Sequence, residues 1–461
     1  MRTAVLKKCL ALHSKIVPKK AQLPILEMIL IGKGKIVSTD LENCLVSDIP
    51  ELNEMEEVCV DFNLFKNIIN NVITDSLEIK VAKDGEVTKL TICYGDAEFN
   101  LISLSAEEFP QLPQENELWK WQYIDTLSTF SIKKVVDSIP YVGKDEHRPV
   151  MMHVYIRDKI VGTNGMKMCF YDRPEMDEHF NILPWMVTPK IISLWPKKEF
   201  VHVDITASTK EDINEDSIKS VIATHLAKPY DYQKVFIDDE ESSTMSITDE
   251  AFAKLSQKGY MLAKVRLVET PYIRIRWKEH QAFYRYPVDV YPRYEAVIPQ
   301  PNIILEVPHE GIILAILNSI AVTGNQVNKM RMKIKPDKIM ISAEDTDLIN
   351  QFSYTLNCFK IKWDCNCQEF ETAVSANIFK TLVGKNVERV KMGFSIIDDN
   401  PLNNRAIIVN NDQLMMPIAE WSGLSDEKDK EEEKTEESEQ MTDTPLAEQL
   451  DENNPDDPFI T

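Results

Sequence analysis

Few side chains in this chain are spaced for catalysis. Of eight cysteines, only Cys365 and Cys367 lie close together. Zinc needs four converging ligands, usually delivered as two spaced pairs, so a single Cys-x-Cys is a poor metal signal. The eight histidines are scattered and read as surface or core residues. Carboxylates cluster in Glu211-Asp-Ile-Asn-Glu-Asp216 and Asp238-Asp-Glu-Glu-Ser242. Paired carboxylates could hold divalent cations for a nuclease, but both runs sit in loop-like sequence and read as solvated. The chain has no Gly-x-x-x-x-Gly-Lys-[Ser/Thr] phosphate loop, no Gly-x-Ser-x-Gly elbow and no His-Glu-x-x-His pair. No catalytic residue, metal or cofactor is expected. Lysines are the remaining candidates: Lys7, Lys8 and Lys15, then Lys133 and Lys134, then Lys66, Lys190 and Lys380, all on segments with helical periodicity. Their chemistry is non-specific attraction of phosphate.

The elements that carry these lysines repeat three times. Residues 24–40, 149–164 and 329–343 each read as strand, polar turn and strand with alternating apolar side chains. A helix-period segment precedes each: Val5, Cys9, Leu12 and Ile16; Ile132, Val135, Val136 and Ile139; Ile313, Ile316, Leu317 and Ile320. Residues 60–66, 187–193 and 374–380 each give a strand end, a capping residue and a second helix. Closing strands follow at residues 96–104, 281–287 and 405–417. Two amphipathic helices on one face of antiparallel sheet, three times over, is an α+β architecture. The expected domains are residues 1–118, 119–300 and 301–418, with boundaries at the Pro-rich stretches after Phe109 and Ile298. An insert at about residues 208–264 enlarges the second domain; a helix is expected from Thr248, with Phe252 and Leu255 apolar and Gly259 as its stop.

The net charge of −22 is uneven. From Ala419 onward, sixteen Asp or Glu face three Lys, leaving a body of −9. A mildly acidic body excludes DNA binding by a broad basic surface, though not a locally basic hole. No apolar run reaches membrane-spanning length, and Lys7 and Lys8 interrupt any signal-peptide core, so a cytoplasmic protein with no membrane partner is expected. Residues 419–461 are expected to be a disordered acidic tail. Within it, Gln449-Leu-Asp451 and Asp456-Asp-Pro-Phe459 offer Leu450 or Phe459 as a docking side chain for the chain's own pocket or a partner.

Five stretches in order carry a resemblance: Gln22-Leu-Pro-Ile-Leu26 with Ser38-Thr-Asp-Leu-Glu42; Phe99-Asn-Leu-Ile-Ser-Leu-Ser-Ala-Glu-Glu-Phe-Pro110; Thr163-Asn-Gly-Met-Lys-Met168; Tyr291-Pro-Arg-Tyr-Glu-Ala-Val-Ile-Pro299; and Met416-Pro417. Together with the threefold repeat they resemble the DNA polymerase III beta subunit, the bacterial sliding clamp. The resemblance spans residues 1–418 apart from the insert. It implies three DNA-clamp domains, a head-to-tail homodimer of six domains, and twelve helices lining a hole for duplex DNA at the replication fork. It implies a non-catalytic processivity factor whose partners are double-stranded DNA, a second copy, DNA polymerase, a clamp loader and other proteins with clamp-binding peptides. A specialised phage- or plasmid-type paralogue, a clamp-like scaffold and a carboxylate- and metal-dependent nuclease are the alternatives.

The resemblance places Lys20 and Arg148 with the lysines above in the DNA channel, and puts Asn70 or Asn71 where a basic residue is usual. It also implies a pocket for Gln-Leu-x-Leu-Phe peptides made by Met151, Thr163, Gly165, Met166, Lys167, Met168, Pro292, Val297, Met416, Pro417 and Ile418. Met166 stands where the family has a histidine, and four methionines make a soft, adaptable wall.

Overall fold

The computed structural model describes residues 1–84, 87–173, 183–236, 243–287, 289–323, 328–345, 350–384, 387–396 and 406–418. The tail with Leu450 and Phe459, the second acidic run and Arg405 lie outside the described residues. The chain divides into two compact units, Met1–Ile298 with Ile408–Met415, and Pro299–Ile407 with the chain from Met416.

The first unit holds two of the repeats. Helix α1 (Thr3–His13) precedes strands Met28–Gly32, Lys35–Thr39 and Asn43–Asp48; strand Val58–Asp61 leads into α2 (Phe62–Asn71). The second repeat follows the same order: α3 (Thr129–Ser138), strands Val154–Ile156, Lys159–Thr163 and Lys167–Asp172, then Trp185–Val187 and the single turn α4 (Pro189–Ile192). The capping residues expected before the second helices are in place. Asp61 accepts a hydrogen bond from Leu64 N at 2.6 Å, and the hydroxyl of Thr188 accepts from Ile191 N at 3.3 Å. Residues 24–27 and 149–152, expected to open strands, instead form 3₁₀ turns with Pro24 and Pro149 first. Proline has no N–H for a sheet ladder and its fixed φ suits the first helical position.

An antiparallel sheet of eleven strands runs through both repeats, joined where Asn43–Asp48 pairs with His280–Arg285 in the register Leu45↔Ala282. Its first hairpin turns on Lys33 and Gly34, both at positive φ. A Cβ on Gly34 would lie 2.0 Å from Asn53 Oδ1, so a larger residue there would be strained and would displace the Asn53 side chain. The unit's second sheet is completed by Gln413–Met415, from near the far end of the chain, antiparallel to Lys167–Asp172.

The helix stripes differ from expectation by about one residue. On α1 the buried side chains are Thr3, Leu6, Cys9, Leu10 and His13, while Val5 is exposed. On α3, Ser131, Ile132, Val135 and Ser138 are buried and Val136 is exposed. The cause is that apolar residues occupy more than one face of each helix, so periodicity alone leaves the rotation open. Leu6 and Leu10 pack with Phe65 and Ile69 of α2 over Ile29, Ile31 and Leu90 of the sheet.

The insert replaces a hairpin turn, between strands Val201–Ser208 and Tyr272–Trp277, which pair with each other. It contains α5 (Glu215–Val221), a π-helical turn at Ile222–Leu226, the hairpin Tyr232–Phe236 with Ser243–Ile247, and α6 (Asp249–Arg266). Thr248 caps α6 as expected, but Gly259 does not stop it. A Cβ on Gly259 would lie 2.5 Å from Ile222 Cγ1, so the glycine permits close helix packing in mid-helix.

The second unit repeats the plan once. Strand Ile303–Pro308 leads into α7 (His309–Thr323); strands Lys329–Ile334, Lys338–Asp345, Asn350–Asn357, Phe359–Trp363 and Phe370–Ser375 follow, then α8 (Ala376–Val383) and Arg389–Phe394. Ser375 caps α8, accepting from Ile378 N at 3.5 Å. Again the stripe is rotated: Ile312, Ala315, Ile316 and Ser319 are buried on α7, and Leu317 is exposed.

Candidate nucleic-acid interface and peptide pocket

The ten candidate channel cations fall into two sets. Lys7 Nζ donates to the carbonyls of Asn70 at 3.0 Å and Val72 at 2.8 Å, which closes the C-terminal end of α2. A cation there meets both unsatisfied carbonyls and the negative pole of the helix. Lys15 donates to the carbonyl of Ser193, and Lys190 pairs with the carboxylate of Asp40. Lys134 lies over the ring of Tyr171, 4.4 Å from its centroid, and Lys66 over Phe62 at 5.5 Å. These side chains help hold the first unit together. Among the described residues, Lys190 alone of these is paired with a carboxylate. Lys8, Lys20, Lys133, Arg148 and Lys380 are exposed. Arg148 Nε is 3.9 Å from Asp145, an exposed pair of little energetic weight. On α7 the exposed residues are Glu310, Leu314, Leu317 and Ala321, so the second unit's helix pair offers only Lys380 of the ten.

The pocket candidates centre on one turn. The Thr163 hydroxyl donates to Lys167 O at 3.0 Å and accepts from Gly165 N at 3.1 Å, while Asn164 Oδ1 accepts from the N–H groups of Met166 and Lys167, each at 3.0 Å. Gly165 has φ +86°, the left-handed region that glycine favours. The result is a rigid turn that presents Met166, 47% exposed, to solvent. Met168 points the other way and is 2% exposed, opposite Leu414 in the sheet. Lys167 has its ammonium 5.7 Å from the ring centre of Tyr141, and partial burial lowers its pKa. Met151 is tied in by its carbonyl, which accepts from Gly143 N at 2.7 Å. Val297 is exposed and Pro292 half-buried. Met416, Pro417 and Ile418 belong to the second unit, where Ile418 N donates to Ala373 O at 2.8 Å.

Sequence reasoning missed an aromatic cavity of about 170 Å³ beside Pro292, lined by Tyr155, Tyr286, Tyr291 and Tyr294 with Thr224, His225 and Lys228 of the insert. Tyr155 stacks on Tyr291 at 4.7 Å. The Tyr291-Pro-Arg-Tyr294 run was the available signal.

The first 113 residues match the family model of the DNA polymerase III beta subunit, N-terminal domain. The fold extends this likeness to almost the whole chain. It superposes on the C. crescentus beta sliding clamp with TM-score 0.63 at 15% identity, covering 91% of this chain and 98% of that one. The chain has the sliding-clamp fold. The Bacillus subtilis clamp gives TM-score 0.61 at 17% identity and the Pseudomonas aeruginosa clamp 0.60 at 16%, each over 91% of this chain and 98% of the other. No curated protein matches the sequence. At these identities the clamp fold is common while most side chains differ. No helix among the described residues is long and apolar enough to cross a membrane.

Proposed function

We propose that the protein is a DNA sliding clamp, a non-catalytic ring that encloses duplex DNA and tethers DNA polymerase and other replication or repair proteins. One observation carries the reading: the chain shares the fold of sliding clamps over nearly all of their length, and its N-terminal repeat matches their family model. Exposed lysines on a body of low charge support weak phosphate contact, which permits sliding, whereas base-edge readout would arrest it. Retention then comes from topology. The turn that exposes Met166, with Met151 and Val297 of the same unit, is the proposed docking place for partner peptides, where a few anchors supply most of the binding energy.

Among the described residues, two strands with an unpaired side support pairing with a second copy. Ala97–Ser105 pairs with Val87–Tyr94 along residues 97–103 on one side, but meets Val58–Asp61 only at Leu104 and Ser105. That open edge carries Phe99 and Ile102, the latter 75% exposed. Asn350–Asn357 ends the four-stranded sheet and carries the stacked rings of Phe352 and Tyr354. An unpaired apolar edge is unstable in solution and is satisfied by another strand. Pairing each of these strands with the other in a second copy would make two equivalent contacts, as a closed dimer requires.

The test is loading. A clamp loader should place the protein on nicked circular DNA, and cutting the circle should release it. In light scattering the pure protein should run near twice its 53.0 kDa chain mass. A strict monomer at micromolar concentration, or tight sequence-selective binding to a short duplex, would overturn the proposal.

A further inference from the structure

The loop that joins Phe359–Trp363 to Phe370–Ser375 brings two thiols together. Cys365 Sγ lies 2.7 Å from Cys367 Sγ, so the two free thiols are in direct contact, within a short movement of a disulfide of about 2.0 Å. Both residues are half-exposed, unlike Cys9, Cys44, Cys59, Cys169 and Cys358, which are buried. Burial pushes the thiols of Cys9 and Cys358 up to about 11 and those of Cys59 and Cys169 up to about 12, which leaves them without thiolate at neutral pH. The loop is braced by two hydrogen bonds. Trp363 Nε1 donates to Cys367 O at 2.9 Å, and Asp364 N donates to Asn302 O at 2.9 Å. Trp363 also packs against Phe370, with ring centres 6.1 Å apart.

We propose that Cys365 and Cys367 form a redox site, oxidised to an intramolecular disulfide by low-molecular-weight disulfides. One cysteine, as thiolate, attacks a sulfur of the small disulfide. That S–S bond breaks, and the first small thiolate leaves with its electron pair and takes a proton. The neighbouring cysteine gives its proton to water and attacks the sulfur of the mixed disulfide on its partner, expelling the second small thiol. The protein loses two hydrogens and the small disulfide gains two. The ring closes a loop of only three residues, which removes little entropy from the unfolded chain, so its chemistry is reversible redox response and not a structural staple. It acts at the corner where the chain passes from the strand Phe359–Trp363 to the sheet containing Phe370–Ser375.

The experiment uses the full-length, fully reduced protein and oxidised glutathione, read by intact mass and peptide mapping. The expected product has lost two hydrogens, both in the peptide holding Cys365 and Cys367, and shows a changed Trp363 fluorescence that a dithiol reductant restores. Cys365→Ser and Cys367→Ser should each instead retain one glutathione on the remaining sulfur. Stable glutathione adducts at Cys365 or Cys367 in the unsubstituted protein would show that the sulfurs cannot join. A pair that stays reduced while the half-exposed Cys93 is modified would equally overturn the proposal. The peptide map of the unsubstituted protein decides the matter even where a variant folds poorly.

Discussion

Arg173 grips Asp125 with both terminal guanidinium nitrogens, 3.0 Å from each carboxylate oxygen, where both side chains are only 1% exposed. Trp185 Nε1 donates to the same carboxylate at 2.8 Å, and Arg173 also donates to the carbonyl of Arg157 at 3.1 Å. The group ties the strand Trp119–Leu127 to Trp185–Val187 and to the end of Lys167–Asp172. Breaking one side of such a pair leaves a buried charge without its counterion. Asp125→Ala or Arg173→Ala should therefore destabilise the protein by about 3–5 kcal/mol. Removing both should cost less than the sum. Urea unfolding of the three variants measures it, and additive losses would refute the coupling.

His13 predicts an acid response. Its Nδ1 lies 2.7 Å from Ser38 Oγ and its Nε2 2.9 Å from Ser47 Oγ, and Ser47 Oγ is 2.8 Å from His280 Nδ1. Burial, and secondarily the nearby His280, pushes the His13 pKa down to about 3 from 6.5. The folded state thus holds the neutral ring while the unfolded chain takes up a proton. This contribution to stability is complete above pH 6.5 and is lost progressively as pH falls toward 3. His13→Gln should flatten the decline of the urea midpoint between pH 6.5 and 4.5. An unchanged slope would show that His13 is not the group responsible.

The lysines should separate by what holds them. Alanine at Lys8, Lys20, Lys133 or Lys380 should leave folding stability within about 0.5 kcal/mol. Each one that contacts phosphate should reduce the slope of log affinity against log salt by about 0.9. Lys7→Ala should instead lower stability by about 1 kcal/mol, since two carbonyls at the end of α2 lose their donor. Salt titrations of DNA binding and thermal unfolding on the same variants distinguish the two classes. A stability loss at Lys133 equal to that at Lys7 would contradict the assignment.

The pocket prediction concerns Met416 and Pro417. Replacing both with alanine should weaken binding of a Gln-Leu-x-Leu-Phe peptide by about 2 kcal/mol or more, while the dimer persists. Fluorescence anisotropy with a labelled peptide and light scattering supply the two readouts. Unaltered affinity would move the pocket elsewhere.

Much that is local was legible in the sequence. The caps Asp61, Thr188 and Ser375, the helix start at Thr248 and the strand–turn–strand units depend on neighbours within a few residues, and the chain itself supplies those neighbours. The threefold repeat was legible for the same reason, and with it the α+β plan. The turn at Thr163–Lys167 was visible as a motif because its hydrogen bonds close within five residues.

What depended on partners distant in sequence was decided only in three dimensions. Apolar residues on two faces of α1, α3 and α7 left their rotation to the surface they pack on, and so Leu6, Ser131 and Ile312 are buried where Val5, Val136 and Leu317 are not. Gly259 reads as a helix stop by propensity, but the contact with Ile222 makes it a packing residue inside α6. Lys7 and Lys190 look like free surface cations until folding brings the carbonyl of Val72 and the carboxylate of Asp40 to them. The strand Gln413–Met415 could not be placed beside Lys167–Asp172 from periodicity, because pairing across more than two hundred residues is set by the fold that delivers the edge.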